Sequence, residues 1–87
     1  MNEISYTSKA KDDLARIEWK IRERIITIIA GVQARDPFSL GFRKLLNSDL
    51  IKLIYDEHVI IGKIEKDTEL NILTIQKRQK LHLPEEF

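Results

Sequence analysis

The chain has 87 residues, of which 43% are hydrophobic and 33% charged. That is room for one domain with one modest core, and too much apolar character for a chain disordered throughout. Fifteen Lys and Arg oppose fourteen Asp and Glu for a net charge of +1, so the overall field gives almost no steering toward nucleic acid and any such binding must rest on a local patch. There is no cysteine, and the two histidines, His58 and His82, stand apart. This excludes a disulfide framework and a thiolate metal site, and it leaves no recognisable ligand spacing. The expectation is a protein without metal or other cofactor. No signal-peptide core opens the sequence, and no run approaches the roughly 18 to 20 apolar residues of a membrane span, so a cytoplasmic chain with no membrane partner is expected.

In chain order, Ile4, Ser5 and Tyr6 alternate in polarity before Thr7 and Ser8, residues suited to capping a helix. Ala10, Leu14, Ile17, Ile21, Ile25, Ile28 and Val32 then recur at spacings of three and four, with Ile29 widening the stripe, which predicts helix from about Thr7 to Arg35. One helix of that length would reach about 42 Å, long for so small a domain. A hairpin bent near Arg16 to Lys20 is therefore favoured, with a single projecting helix as the alternative. Trp19 reads as a helix-packing residue.

Asp36-Pro37 closes the helical segment, because the residue before proline is pushed out of the α region. Phe42 to Leu46, Leu50 to Tyr55, Val59 to Ile64 and Leu70 to Gln76 read as strands, and Asp56-Glu57-His58 as a turn between two of them. The fold class is α+β: an N-terminal strand, a helical hairpin, then an antiparallel meander of three or four strands with the helices on one face. Residues 1–82 are expected to form the single domain and 83–87 a tail.

Specific residues carry a family resemblance. Ile4 to Thr7 with Ala10, Asp13 and Leu14, then Ile21 to Ile25, then Asp36-Pro37-Phe38 followed by Arg43-Lys44-Leu45, and a last strand ending in Lys77-Arg78, resemble the RelE/ParE toxins over nearly the whole chain. The stretch from Gln76 to Glu86 is also similar to the tail of the phage-type HigB branch. The resemblance implies the toxin half of a type II toxin–antitoxin pair that cuts mRNA on the ribosome without metal. The alternatives it offers are an inhibitor of DNA gyrase, or a member that only binds its antitoxin. The implied partners are a cognate antitoxin, the ribosome and mRNA, or gyrase. Where RNA-cutting members carry three arginines and a tyrosine in their hairpin, this chain has Lys52, Ile54, Val59 and Gly62.

Metal-independent RNA cleavage needs a base near the 2′-hydroxyl, cations on the phosphate and an acid for the leaving oxygen. The candidates for this chemistry are Lys52, Lys77, Arg78 and His82, with Lys63, Lys80, Arg43 and Lys44 as RNA contacts and His58 as a second proton carrier. Trp19 and Tyr55 are candidate stacking residues. Ile26, Ile29 and Leu40 are surplus apolar residues for an antitoxin groove. The bland reading is that Lys52 and Lys63 face solvent from half-exposed strands, and that the lysines after Gln76 guard a sheet edge.

Overall fold

The structure is a computed structural model, and it describes residues 3–66 and 68–78. The proposed domain limit at residue 82, the tail 83–87, and the candidates Lys80 and His82 lie outside the described residues.

Strand β1 (Glu3–Tyr6) runs into helix α1 (Ser8–Ala15). Thr7 makes the junction. Its hydroxyl accepts the Ala10 N–H at 3.0 Å, as an N-cap does, and donates to the Leu73 carbonyl at 2.7 Å. Helix α2 (Trp19–Ala30) follows after a three-residue break, 16–18, where the hairpin bend is expected. No Gly or Pro makes this break. Glu18 restarts the helix by accepting the Ile21 N–H at 3.3 Å, and the Arg22 guanidinium reaches back to the Leu14 carbonyl at 3.4 Å.

Helix α2 ends at Ala30, earlier than Asp36-Pro37 suggests, and continues as a 3₁₀ turn over Gly31–Gln33. Asp36 caps a second 3₁₀ turn, Pro37–Leu40, with Pro37 at its first position. Gly41 then reverses the chain at φ 112°, where a Cβ would also meet Leu53 Cδ1 at 2.9 Å, so only glycine fits.

Four strands follow: β2 (Arg43–Lys44), β3 (Leu50–Tyr55), β4 (His58–Glu65) and β5 (Glu69–Lys77). They pair in sequence as an antiparallel meander, and β1 adds to β5 in parallel, giving a mixed sheet of five strands in the order β1-β5-β4-β3-β2. The meander agrees with the sequence reading; the parallel fifth strand was outside it.

Ala10 and Leu14 of α1, Ile25 and Ile29 of α2, Val32 and Phe42 share one core with Ile51, Leu53, Ile60, Leu70, Ile72 and Ile75 of the sheet. Both helices therefore cover the same face. A second, smaller cluster of Leu50, Val59 and Ile61, with Leu45 and Leu73 against it, lies on the other face. Two-sided burial explains why β3 and β4 read as nearly continuous apolar runs.

A bulge interrupts the β4–β5 ladder: Ile61 pairs with Thr74 and Gly62 with Ile72, leaving Leu73 without a partner residue. Gly62 suits that spot, since a Cβ there would lie 3.1 Å from Leu70 Cδ1 and 3.3 Å from the Asn71 carbonyl.

Candidate functional site

Residues directly opposite in an antiparallel ladder share a face, so register assigns the charged side chains. Arg43 pairs with Lys52, and Lys52 with Ile61; Lys63 pairs with Leu50 on one side and Asn71 on the other. Leu50 and Ile61 belong to the cluster away from the helices. Arg43, Lys52 and Lys63 therefore stand together on the open face of the sheet. Arg43 and Lys52 are direct neighbours with Cβ atoms about 5 Å apart, and Lys63 lies diagonally about 7 Å from Lys52. The Arg43 guanidinium is steadied by the Phe42 carbonyl at 3.0 Å.

The face is graded along its strands. Ile54, Val59 and Gln76 form an apolar and amide row beyond the cations. On the other side Glu65, Glu69 and Glu3 pair in register as an acidic row, with the Ser5 hydroxyl 2.8 Å from Glu69 Oε2 and 3.1 Å from Asn71 Oδ1. An anion on this face is drawn toward the middle and repelled from the β4–β5 turn.

Other candidates fall elsewhere. Lys44 pairs with the core residue Ile51 and so points to the helix side of an edge strand. Lys77 pairs with His58, which pairs with the core-packed Tyr55, and this row also faces the helices. Arg78 is exposed and its amide donates to the Glu57 carbonyl at 2.8 Å. Lys52 and Lys77 thus do not share a face.

His58 is the first residue of β4 rather than part of a turn, and it is buried at 7% exposure with its Nδ1 lacking a partner. It lines a cavity of about 680 Å³ on the helix side, between the α1–α2 break and the β3–β4 turn, together with Arg16, Ile21, Ile75 and Lys77. Among the described residues no group of three or more His, Asp or Glu is arranged to hold a metal, and no helix is long and apolar enough to cross a membrane.

Of the residues considered for a groove, Ile29 is fully buried in the core and Leu40 packs against it, so of the three only Ile26 is exposed. Tyr55 is half-buried and lines a shallow cavity with Arg24 and Ile28 of α2. Trp19, expected to pack between helices, is 57% exposed instead.

A β-strand, a helical hairpin and an antiparallel meander whose last strand pairs in parallel with the first define a small α+β toxin-type fold, and this chain has the fold of the RelE/ParE toxins. The match to solved structures is extensive. A chain of the toxin–antitoxin complex RelBE2 from Mycobacterium tuberculosis aligns over 88% of this chain and 98% of its own, with TM-score 0.77 and 18% identity. The isolated E. coli RelE toxin aligns over 99% and 90% with TM-score 0.72 at 9% identity. A chain of the chromosomal ParDE system from P. aeruginosa aligns over 88% and 96% with TM-score 0.73 at 18% identity. No family model matches the sequence, and no curated protein does. At these identities the likeness is one of fold.

Proposed function

We propose that this chain is the toxin half of a type II toxin–antitoxin pair, acting in the cytoplasm as a metal-independent ribonuclease on ribosome-bound mRNA and neutralised by a cognate antitoxin. The observation that carries the reading is the grouping of Arg43, Lys52 and Lys63 on the sheet face that, among the described residues, no helix covers. Two like charges set directly opposite one another repel, and a phosphate between them converts that repulsion into attraction on both sides. Arg43 offers a fork of donors and Lys52 a point charge, so the pair grips a scissile phosphate and stabilises the charge that builds on it. Lys63 holds a neighbouring phosphate. Proton transfer falls to His82, while Lys77 stands on the helix side of the sheet.

Induced expression without a partner protein tests the reading: growth arrest with transcripts cut within codons is expected, and the double variant R43A/K52A abolishes both. Intact transcripts in arrested or growing cells overturn it. One observation favours a second reading, inhibition of DNA gyrase. Ile54 and Val59 stand where RNA-cutting relatives resemble one another in arginine, and Ile54 is 44% exposed, an apolar contact suited to a protein target. Inhibition of supercoiling by the purified chain, with transcripts intact, supports that alternative.

A further inference from the structure

The net charge of +1 conceals an uneven distribution. Between Ser8 and Arg35 seven Lys and Arg face four Asp and Glu, whereas the remaining residues carry eight against ten. Residues 8–35, which hold both helices, therefore carry a net surplus of three positive charges of their own.

Within that layer the indole of Trp19 stands out. Tryptophan is usually well buried, yet this one is 57% exposed at the first position of α2, with Lys20 Nζ 5.8 Å from its ring centre. Two cations close to it in sequence are exposed: Arg16 in the α1–α2 break and Lys20, whose Nζ lies beside the ring. Two acids lie close in sequence: Glu18, one carboxylate oxygen of which caps the Ile21 amide, and Glu23, one turn further along α2 next to the exposed Arg24. An exposed aromatic ring flanked by cations three residues before and one after has the chemistry of a nucleobase platform, in which stacking is tolerant of sequence and the cations take the adjoining phosphates. A protein partner would match the surplus positive charge only with an acidic surface, whereas RNA brings a phosphate with every nucleotide.

We infer that the α1–α2 break is a second RNA contact, in which Trp19 stacks an unpaired base while Arg16 and Lys20 hold its flanking phosphates. The inference rests on the reading of this chain as an RNA-binding toxin and adds a site on the far side of the molecule. A chain with one cationic face for the RNA it cuts and another for the RNA that surrounds it is anchored twice.

Trp19 is the one tryptophan in the sequence, so intrinsic fluorescence reports this site alone. The probe is a short, unstructured oligoadenylate with methylated 2′-hydroxyls, which cannot be cut, carrying a 5′ dye for anisotropy. At low salt the two signals are expected to saturate together, with Trp19 emission quenched. Trp19→Ala weakens binding about fivefold or more, Trp19→Phe restores most of it, and Arg16→Ala or Lys20→Ala lowers the log–log salt slope by about 0.7 each. Binding by anisotropy with unchanged Trp19 emission and an unaffected Trp19→Ala variant overturns this site while leaving RNA binding at the open face intact. No binding by either signal overturns both readings. Emission that shifts on addition of the purified antitoxin but not of RNA overturns the assignment in favour of a protein contact.

Discussion

Asp13 on α1 receives the Thr74 hydroxyl at 2.6 Å and the Ile75 amide at 3.0 Å, two adjacent residues of β5 just beyond the point where β1 stops pairing. Thr7 serves the same stretch by taking its hydroxyl to the Leu73 carbonyl. The helix layer is thus fastened to the uncovered edge of the last strand by one hydroxyl and one carboxylate, and that edge is closed to further strand addition. Lys9, 3.1 Å away, completes the ring around Asp13, whose side chain is 10% exposed.

Substituting Asp13 with Ala leaves the Ile75 amide and the Thr74 hydroxyl short of a partner, and a loss of about 1–3 kcal/mol is expected. Burial pushes the Asp13 carboxyl up, but the hydrogen bonds from Thr74, Ile75 and Lys9 and the Lys9 charge outweigh it, so its pKa lies below the ordinary value. A group depressed on folding contributes stability that is present above its unfolded pKa, about 3.9, and lost as pH falls through the folded value. Urea midpoints of the wild type should therefore fall below about pH 4, and those of Asp13→Asn should fall less steeply over the same range.

Gly62 gives a second stability test. A methyl group there has 3.1 Å to Leu70 Cδ1 and 3.3 Å to the Asn71 carbonyl. The leucine can rotate away, whereas the carbonyl is part of the bulged strand and cannot move without disturbing the ladder. Gly62→Ala is expected to cost about 1–2 kcal/mol in chemical denaturation, the range for a crowded core. An unchanged midpoint would mean that the bulge is more compliant than these distances imply.

His58 makes the opposite prediction. Its Nδ1 is buried and unpaired, which costs stability wherever it occurs. Replacing the ring with leucine removes the unpaired nitrogen and keeps most of the volume, so His58→Leu should raise stability by about 1 kcal/mol. Because the residue lies on the helix side of the sheet, toxicity on induction should be retained. Loss of growth arrest with a raised melting temperature would instead assign His58 to the working site.

The parts of the fold that were legible in the sequence are those with a local cause. The apolar stripe from Ala10 to Val32 carries both helices, Thr7 reads as a cap and acts as one, and Asp36-Pro37 opens a turn. The parallel pairing of β1 with β5 joins Glu3 to Glu69 and Tyr6 to Ile72, and contacts so distant leave no local pattern. The placement of Lys77 shows the same limit at the site. Strict alternation from Glu69, on the open face, puts residues 71, 73, 75 and 77 on that face with Lys52 and Lys63. The extra residue at Leu73 reverses the count, so that Ile75 enters the core and Lys77 follows it to the helix side. Trp19 faces solvent rather than the core, a difference the sequence does not carry because an apolar residue at the start of an amphipathic helix has the same letter in either place.

Arg43 and Lys52 allow stability and binding to be separated in one pair of variants. Like charges directly opposite one another in a sheet are destabilising by roughly 0.2–1 kcal/mol, so Lys52→Thr, which also favours strand geometry, should raise the melting temperature. The same change removes a phosphate contact, so affinity for single-stranded RNA should drop and the slope of log affinity against log salt should shrink by about 0.7. Arg43→Thr should behave likewise, and the double variant should gain less stability than the two single gains together, because the repulsion can be removed only once. A gain in stability coupled to a loss of binding marks a cation pair retained for a ligand. If Lys52→Thr instead loses stability and leaves the salt slope unchanged, the two cations are solvent-facing strand residues and the open face is not where RNA is held.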